Sequence, residues 1–322
     1  MATKVTIALD RYDRHFPFFL GQLNVPLEFD IVPLEVGMVP PRRHGIDRHR
    51  RMLVDKEFDA AETSLASYII AKSCGAPFTA IPVFPRRLFS QNHIFVNEKS
   101  IAHHPSDLIG KRVLIWAFQV TMSVLAKGDM KRNYGADWRS MQWLTLQPEE
   151  VPVNDLPIKQ AAPGSDPIQL LRNGDADAFI YPHPPEEAIS GRYGIRRLFA
   201  DPMAECDRYF KRNGFFPIMH LIVLQERIVQ AQPALPLALM RLWEEAKTIA
   251  HDFYHDPGFG LAALNRLTYE AQQENWGIDI WPSGLKANRT NLELFIEDMV
   301  DQKLIERPVP VDQLFDTSTL DT

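Results

Sequence analysis

Two cysteines in 322 residues, Cys74 and Cys206, are too few and too far apart for a disulfide framework or a metal knuckle. No apolar run approaches the roughly 18 residues that a membrane span requires. The opening Met-Ala-Thr-Lys-Val-Thr-Ile-Ala-Leu-Asp-Arg returns to charge too soon for a secretory signal, so a cytoplasmic protein with reduced thiols is expected. A basic excess is also missing. Thirty-five Lys and Arg against 41 Asp and Glu give a net charge of −6, which attracts neither nucleic acid nor an anionic membrane. The sequence has no G-x-G-x-x-G, no P-loop and no G-x-S-x-G, which disfavours nucleotide cofactors and serine-hydrolase chemistry. His251 and His255 have a metal-compatible i, i+4 spacing, but the Glu of H-E-x-x-H is absent.

What remains is an ordinary globular mix, 45% apolar and 24% charged, long enough for two cores. Under a net negative charge, an anionic ligand must be held by particular arginines. Apolar patterning predicts strands at Val5–Leu9, Leu27–Leu34, Ala60–Ala61, Ala80–Val83, His93–Val96, Arg112–Trp116, Trp143–Leu146, Ala176–Ile180 and Phe216–Leu224. Between them fall helical patterns at His44–Lys56, Thr63–Ser73, Thr121–Tyr134 and Asp166–Asn173. Three more follow, Pro233–Tyr254, Phe259–Asn275 and Asn291–Gln302, while Pro148–Ala162 reads as a connecting segment. Strands alternating with helices of this length predict an α/β protein with parallel sheets.

Open α/β sheets bind ligands beyond the carboxyl ends of their strands, and five polar clusters stand at such places. Asp10, Arg11 and Tyr12 follow the first strand, where a solvated loop is the plain alternative. Glu62, Ser64 and Ser67 span a strand-to-helix junction. Its hydroxyls and amides can take a carboxylate, although ordinary capping explains Ser64 equally well. Arg86 and Arg87, between aromatic residues, have the fork geometry for carboxylates; the alternative is a structural ion pair. Trp116, Gln119 and Thr121 offer a stacking ring, an amide and a hydroxyl. His220 and His93 are imidazoles within apolar strands, often satisfied core residues but also natural proton carriers near neutral pH.

Several long motifs carry a resemblance: Glu62–Tyr68, Ile81–Arg87, Leu108–Val113 with Gln119-Val120-Thr121, Gly214–His220, Trp281-Pro282-Ser283-Gly284 and Asn288-Arg289. In these the chain resembles the 4,5-dihydroxyphthalate decarboxylase family, within the type II periplasmic-binding-protein superfamily. It differs at Asp10-Arg11, in place of a Gly-Asp, and at Ala117-Phe118, in place of a Glu-Tyr.

The resemblance implies a two-lobed α/β fold with mixed sheets flanked by helices and a ligand at the hinge. Lobe I would comprise residues 1–92 and 222–322, and lobe II residues 93–221. It implies decarboxylation of a hydroxylated aromatic dicarboxylate, needing no organic cofactor and leaving a divalent metal open. In that reading His220 or His93 is the proton donor and Glu62 the partner of the hydroxyls. Arg86 and Arg87 clamp carboxylates, Trp116 and Trp281 sandwich the ring, and Asp10, Arg11, Ser64, Ser67, Gln119 and Thr121 complete the substrate contacts. The expected partner is a small aromatic carboxylate, and the C-terminal amphipathic helices are compatible with a homodimer. Two alternatives share the fold: a solute-binding protein for a small aromatic or heterocyclic acid, and a biosynthetic enzyme that cleaves a side chain or rearranges a ring.

Overall fold

Residues 2–37, 48–148, 158–183, 194–277 and 279–322 are described by the computed structural model. The strands are β1 (Thr3–Leu9), β2 (Phe29–Glu35), β3 (Ala60–Ser64), β4 (Phe78–Arg87), β5 (Ile94–Asn97), β6 (Arg112–Ile115), β7 (Gln142–Thr145), β8 (Ile158–Gln160), β9 (Ala178–Ile180), β10 (Ile195–Arg197) and β11 (Ile218–Gln225). They form two sheets. One runs β2-β1-β3-β11-β4 and the other β10-β5-β9-β6-β7-β8. Both are mixed rather than parallel: β11 is antiparallel to β3 and β4, and β5 is antiparallel to β9 and β10.

The chain divides into two compact units: Met1–Arg87, Ile218–Leu292 and Val309–Thr322 form the first, Leu88–Pro217 and Glu293–Pro308 the second. The chain crosses at Arg87/Leu88 and Pro217/Ile218, where sequence reading places the boundaries at 92/93 and 221/222, and twice more at Leu292/Glu293 and Pro308/Val309. All of β11 stays in the first unit because both its edges are paired there. Glu293–Pro308 belongs with the second unit, although sequence alone groups it with the C-terminal helices.

In the first unit β1 buries Val5, Ile7, Ala8 and Leu9 fully, while β3, β4 and β11 are buried along their whole length. Such strands need cover on both faces, and helix Leu235–Phe253 supplies it on one with Leu239, Leu242, Trp243 and Ala246. The helix predicted from Thr63 begins at Leu65. Ser64 stays extended and caps it, accepting from the Ser67 amide at 3.4 Å. The helix predicted over His44–Lys56 is observed as Arg48–Leu53, residues 44–47 lying outside the described residues, as do 149–157 of the connecting segment. In the second unit helix Thr121–Tyr134 has the predicted limits and ends at Gly135, whose φ of 64° is the left-handed conformation glycine adopts freely. Among the described residues no helix is long and apolar enough to cross a membrane.

Candidate active site

Because β1 and β3 run parallel, with Ala8 opposite Ala61, their carboxyl ends bring Asp10 and Glu62 side by side. The Asp10 amide donates to Glu62 Oε2 at 3.3 Å. β11 enters from the other side. Its register sets Ile222 opposite Glu62 and His220 opposite Ser64, so His220 and Glu62 are diagonal neighbours on one face. The β11 pairing with β4 slips on both sides of His220, an irregularity of the kind that re-aims a side chain, and it puts His220 opposite Arg86.

Glu62 is fully buried and its Oε1 collects three side chains: His220 Nδ1 at 2.5 Å, the Tyr12 hydroxyl at 3.2 Å and Arg48 Nη2 at 3.3 Å. Arg48, 1% exposed, also gives Nε to the Glu62 carbonyl at 2.8 Å, Nη1 to the Val36 carbonyl at 2.6 Å, and faces Asp10 Oδ2 at 3.5 Å. Arg86 Nη1 donates to the Tyr12 hydroxyl at 3.4 Å. Two carboxylates and two guanidiniums therefore balance around one phenol. His15 Nδ1 meets the Asp10 carbonyl at 2.9 Å, and His49 receives the Ser64 amide on Nδ1 at 3.1 Å while its ring edge meets His220 at 5.0 Å between centroids.

The electrostatics assign protons. Burial would raise the Glu62 carboxyl, but Arg48 and the His220 hydrogen bond outweigh it and hold the group well below the usual carboxylate range. Burial pushes His220 down to about 4, with Arg86 and Arg48 adding to it against the pull of Glu62. A carboxylate only accepts, so His220 carries its proton on Nδ1 and presents an unprotonated Nε2. In His49 the assignment is reversed: Nδ1 accepts, so the proton is on Nε2. Burial, ahead of the Glu62 charge, raises the Tyr12 phenol and keeps it protonated. His220 in its resting state is thus a proton acceptor, which turns round the donor role expected of it.

No family model matches the chain. Across 331 residues it is 25% identical to a Comamonas testosteroni protein named 4,5-dihydroxyphthalate decarboxylase, an alignment covering 99% of this chain and 98% of that one. The chain is similar to the 4,5-dihydroxyphthalate decarboxylases. A Pseudomonas putida protein of the same name is 27% identical over 169 residues, 49% of this chain and 66% of that protein. Among solved structures, the periplasmic aliphatic sulphonate binding protein SsuA from Escherichia coli superposes over 100% of both chains with a TM-score of 0.63 at 15% identity. That likeness shows the fold: the periplasmic-binding-protein type, α/β with two mixed sheets flanked by helices.

Of the residues expected at the site, Asp10, Glu62, Arg86 and His220 come together, joined by Tyr12, Arg48 and His49. Arg87 does something else. It is 2% exposed, its Nη2 reaching Asn288 Oδ1 at 2.5 Å and the Pro282 carbonyl at 3.0 Å, so it braces the Pro282–Asn288 turn rather than standing open to a carboxylate. Arg11 is an exposed partner of Glu35 at 2.5 Å. Ser64 and Ser67 are the helix cap and its donor. Trp281 carries the Arg14 guanidinium 4.2 Å over its ring, so one of its faces is already covered.

Trp116, Gln119, Thr121 and His93 belong to the second unit. There Trp116 stacks on Tyr181 at 5.5 Å, His93 Nδ1 meets the Tyr181 carbonyl at 3.1 Å, and Gln119 and Thr121 are buried. His251 bonds the Tyr269 hydroxyl and His255 faces Asp252 at 3.7 Å, so the pair shares no common partner. Among the described residues no group of three or more His, Cys, Asp or Glu is arranged for a metal.

Tyr12 stood out with Asp10 and Arg11 after the first strand, whereas Arg48 and His49 were not singled out by sequence reasoning. The signal for Arg48 was its i, i+4 spacing to Met52, which places both on the buried face of one helix. A charge on a core-facing stripe points to a buried partner, here Glu62.

Proposed function

We infer that the chain is a carboxy-lyase acting on a hydroxylated aromatic dicarboxylate of the 4,5-dihydroxyphthalate type, giving 3,4-dihydroxybenzoate and carbon dioxide without a cofactor. The observation that carries this is the buried 2.5 Å pair of His220 Nδ1 and Glu62 Oε1, which leaves His220 Nε2 unprotonated. The curated relatives named as decarboxylases support it.

His220 Nε2 takes the proton of the ring hydroxyl para to the departing carboxylate, and Glu62 stabilises the imidazolium that forms. The phenolate pushes electron density onto the carboxylate-bearing carbon, which takes a proton from solvent and becomes a dienone. The carbon–carbon bond then breaks, its electrons restore the aromatic ring, and carbon dioxide leaves. His220 returns its proton to the oxygen. Arg86 supplies the cation that orients a substrate carboxylate, and no organic electron sink is required.

General-base catalysis contributes about 10²- to 10⁴-fold, so His220→Gln is expected to lower turnover of 4,5-dihydroxyphthalate about 100-fold or more. Chromatography of substrate and 3,4-dihydroxybenzoate measures it, and a variant within a small factor of wild type removes His220 from the chemistry. The fold likeness to a sulphonate-binding protein favours a second reading, a receptor for an aromatic acid. That reading predicts saturable binding with the ligand recovered unchanged.

A further inference from the structure

The first unit contains a cavity of about 240 Å³, framed by helices Leu235–Phe253 and Asn265–Trp276, by Asp13-Arg14 and by Ile280-Trp281. Drug-sized ligands occupy pockets of about 300–1,000 Å³, so this one suits a single ring. Its walls are flat and aromatic: Trp281 on one side, and Tyr254 stacked on Tyr269 at 4.9 Å and 15° on another. The Arg14 guanidinium lines the cavity and lies 4.2 Å over Trp281 and 4.3 Å over Tyr12, while Glu62 and His220 are not among the lining residues.

Charge narrows the ligand further. Lys247 spends its three hydrogens on Asp279 at 2.8 Å, Glu244 at 2.9 Å and the Trp281 carbonyl at 3.2 Å. Arg14 uses Nε and Nη2 on the Pro85 carbonyl and Nη1 on Asp13, which leaves part of its fork of five N–H groups for an incoming acceptor. Asp13 also lines the cavity, held by the Tyr254 hydroxyl at 2.6 Å. A second negative charge in the ligand would face that carboxylate. One carboxylate on one ring is what the site can satisfy, with the acid on Arg14 and the ring among Tyr254, Tyr269 and Trp281.

We propose that this cavity is a second binding site, separate from the Glu62–His220 cluster, for a single-ring aromatic monocarboxylate. The choice of 3,4-dihydroxybenzoate as probe rests on the proposed function; the site does not.

The test is calorimetric titration of the full chain with 3,4-dihydroxybenzoate. Thr268 and Gln272, on helix Asn265–Trp276, line the cavity and lie outside the proposed catalytic cluster, so Thr268→Trp and Gln272→Trp each fill it, and Glu62→Gln disables that cluster. The proposal expects binding to persist in Glu62→Gln and to weaken at least tenfold in both tryptophan variants, which keep any turnover the wild type has. Binding unchanged in both tryptophan variants, binding lost in Glu62→Gln, or no saturable binding by any form overturns it. Failure of the proposed reaction appears instead as absence of turnover, a separate reading.

Discussion

Taking the Glu62 carboxylate out of water costs several kcal/mol unless donors replace the lost hydration, and Arg48, Tyr12 and His220 all serve its Oε1. The same enclosure works against charge on the histidines. His15 and His220 are both pushed by burial down to about 4. A histidine whose folded value lies below its ordinary 6.5 stays neutral in the fold while the unfolded chain takes up a proton. The unfolded state then binds more protons, so stability rises with pH across the window from about 4 to 6.5 and is level above it. Each such histidine costs about 1.4 kcal/mol per pH unit below 6.5. Thermal unfolding followed from pH 7.5 to pH 5 should show a midpoint that is flat above 6.5 and falls steeply below it. A midpoint level down to pH 5 would mean that these rings are charged in the fold.

Individual elements aim this chemistry. Placing His220 beside Glu62 requires both the antiparallel return of β11 and its irregular pairing with β4, neither of which an apolar run announces. Sequence patterning gives a strand at Phe216–Leu224 but not its partners, because partner choice is made by tertiary contacts. Helix Pro202–Asn213 is the opposite case: Asp201 caps it, Pro202 opens it and Gly214 closes it, yet it buries only Cys206 and Tyr209. The i, i+3, i+4 spacing of Cys206, Tyr209 and Phe210 and the end signals together make such a helix legible, although its one-sided burial kept it out of the strand–helix alternation.

Gly37 shows how closely β2 serves the cluster. A Cβ there would stand 2.1 Å from Asp10 Oδ1 and 2.8 Å from its Cγ, so the carboxylate facing Arg48 would have to move. Overpacking of this kind costs about 1–3 kcal/mol. Gly37→Ala should lower the unfolding midpoint and cut turnover at least tenfold, read from thermal melts and steady-state rates. Wild-type values for both would show that Asp10 is not held where the cluster needs it.

At the scale of the whole chain, the α/β class and the family resemblance were readable from strand–helix alternation and from motifs such as Glu62–Tyr68 and Gly214–His220. The division into units was less so. Sequence patterning gives a helix at Asn291–Gln302 and the structure forms one over Leu285–Asp301, but Glu293–Pro308 groups with the second unit through contacts such as Asp298 with Arg132 at 2.5 Å. The site was half legible. Glu62, His220, Arg86 and Asp10 stood out as polar residues at strand ends, whereas Arg48 and His49 sat in a charge-dense stretch that masks a buried face. Arg87 shows the limit of reading adjacent arginines as a pair, since alternate residues of a strand point to opposite sides.

The reaction proposed for this chain replaces a carboxylate on a hydroxylated ring by a proton from solvent. Incubating the purified protein with 4,5-dihydroxyphthalate in deuterium oxide and analysing the ring by proton NMR tests that directly. The expected product is 3,4-dihydroxybenzoate with one deuterium at the carbon that lost the carboxylate, formed without added cofactor. Substrate recovered unchanged, or product without deuterium at that carbon, would contradict it.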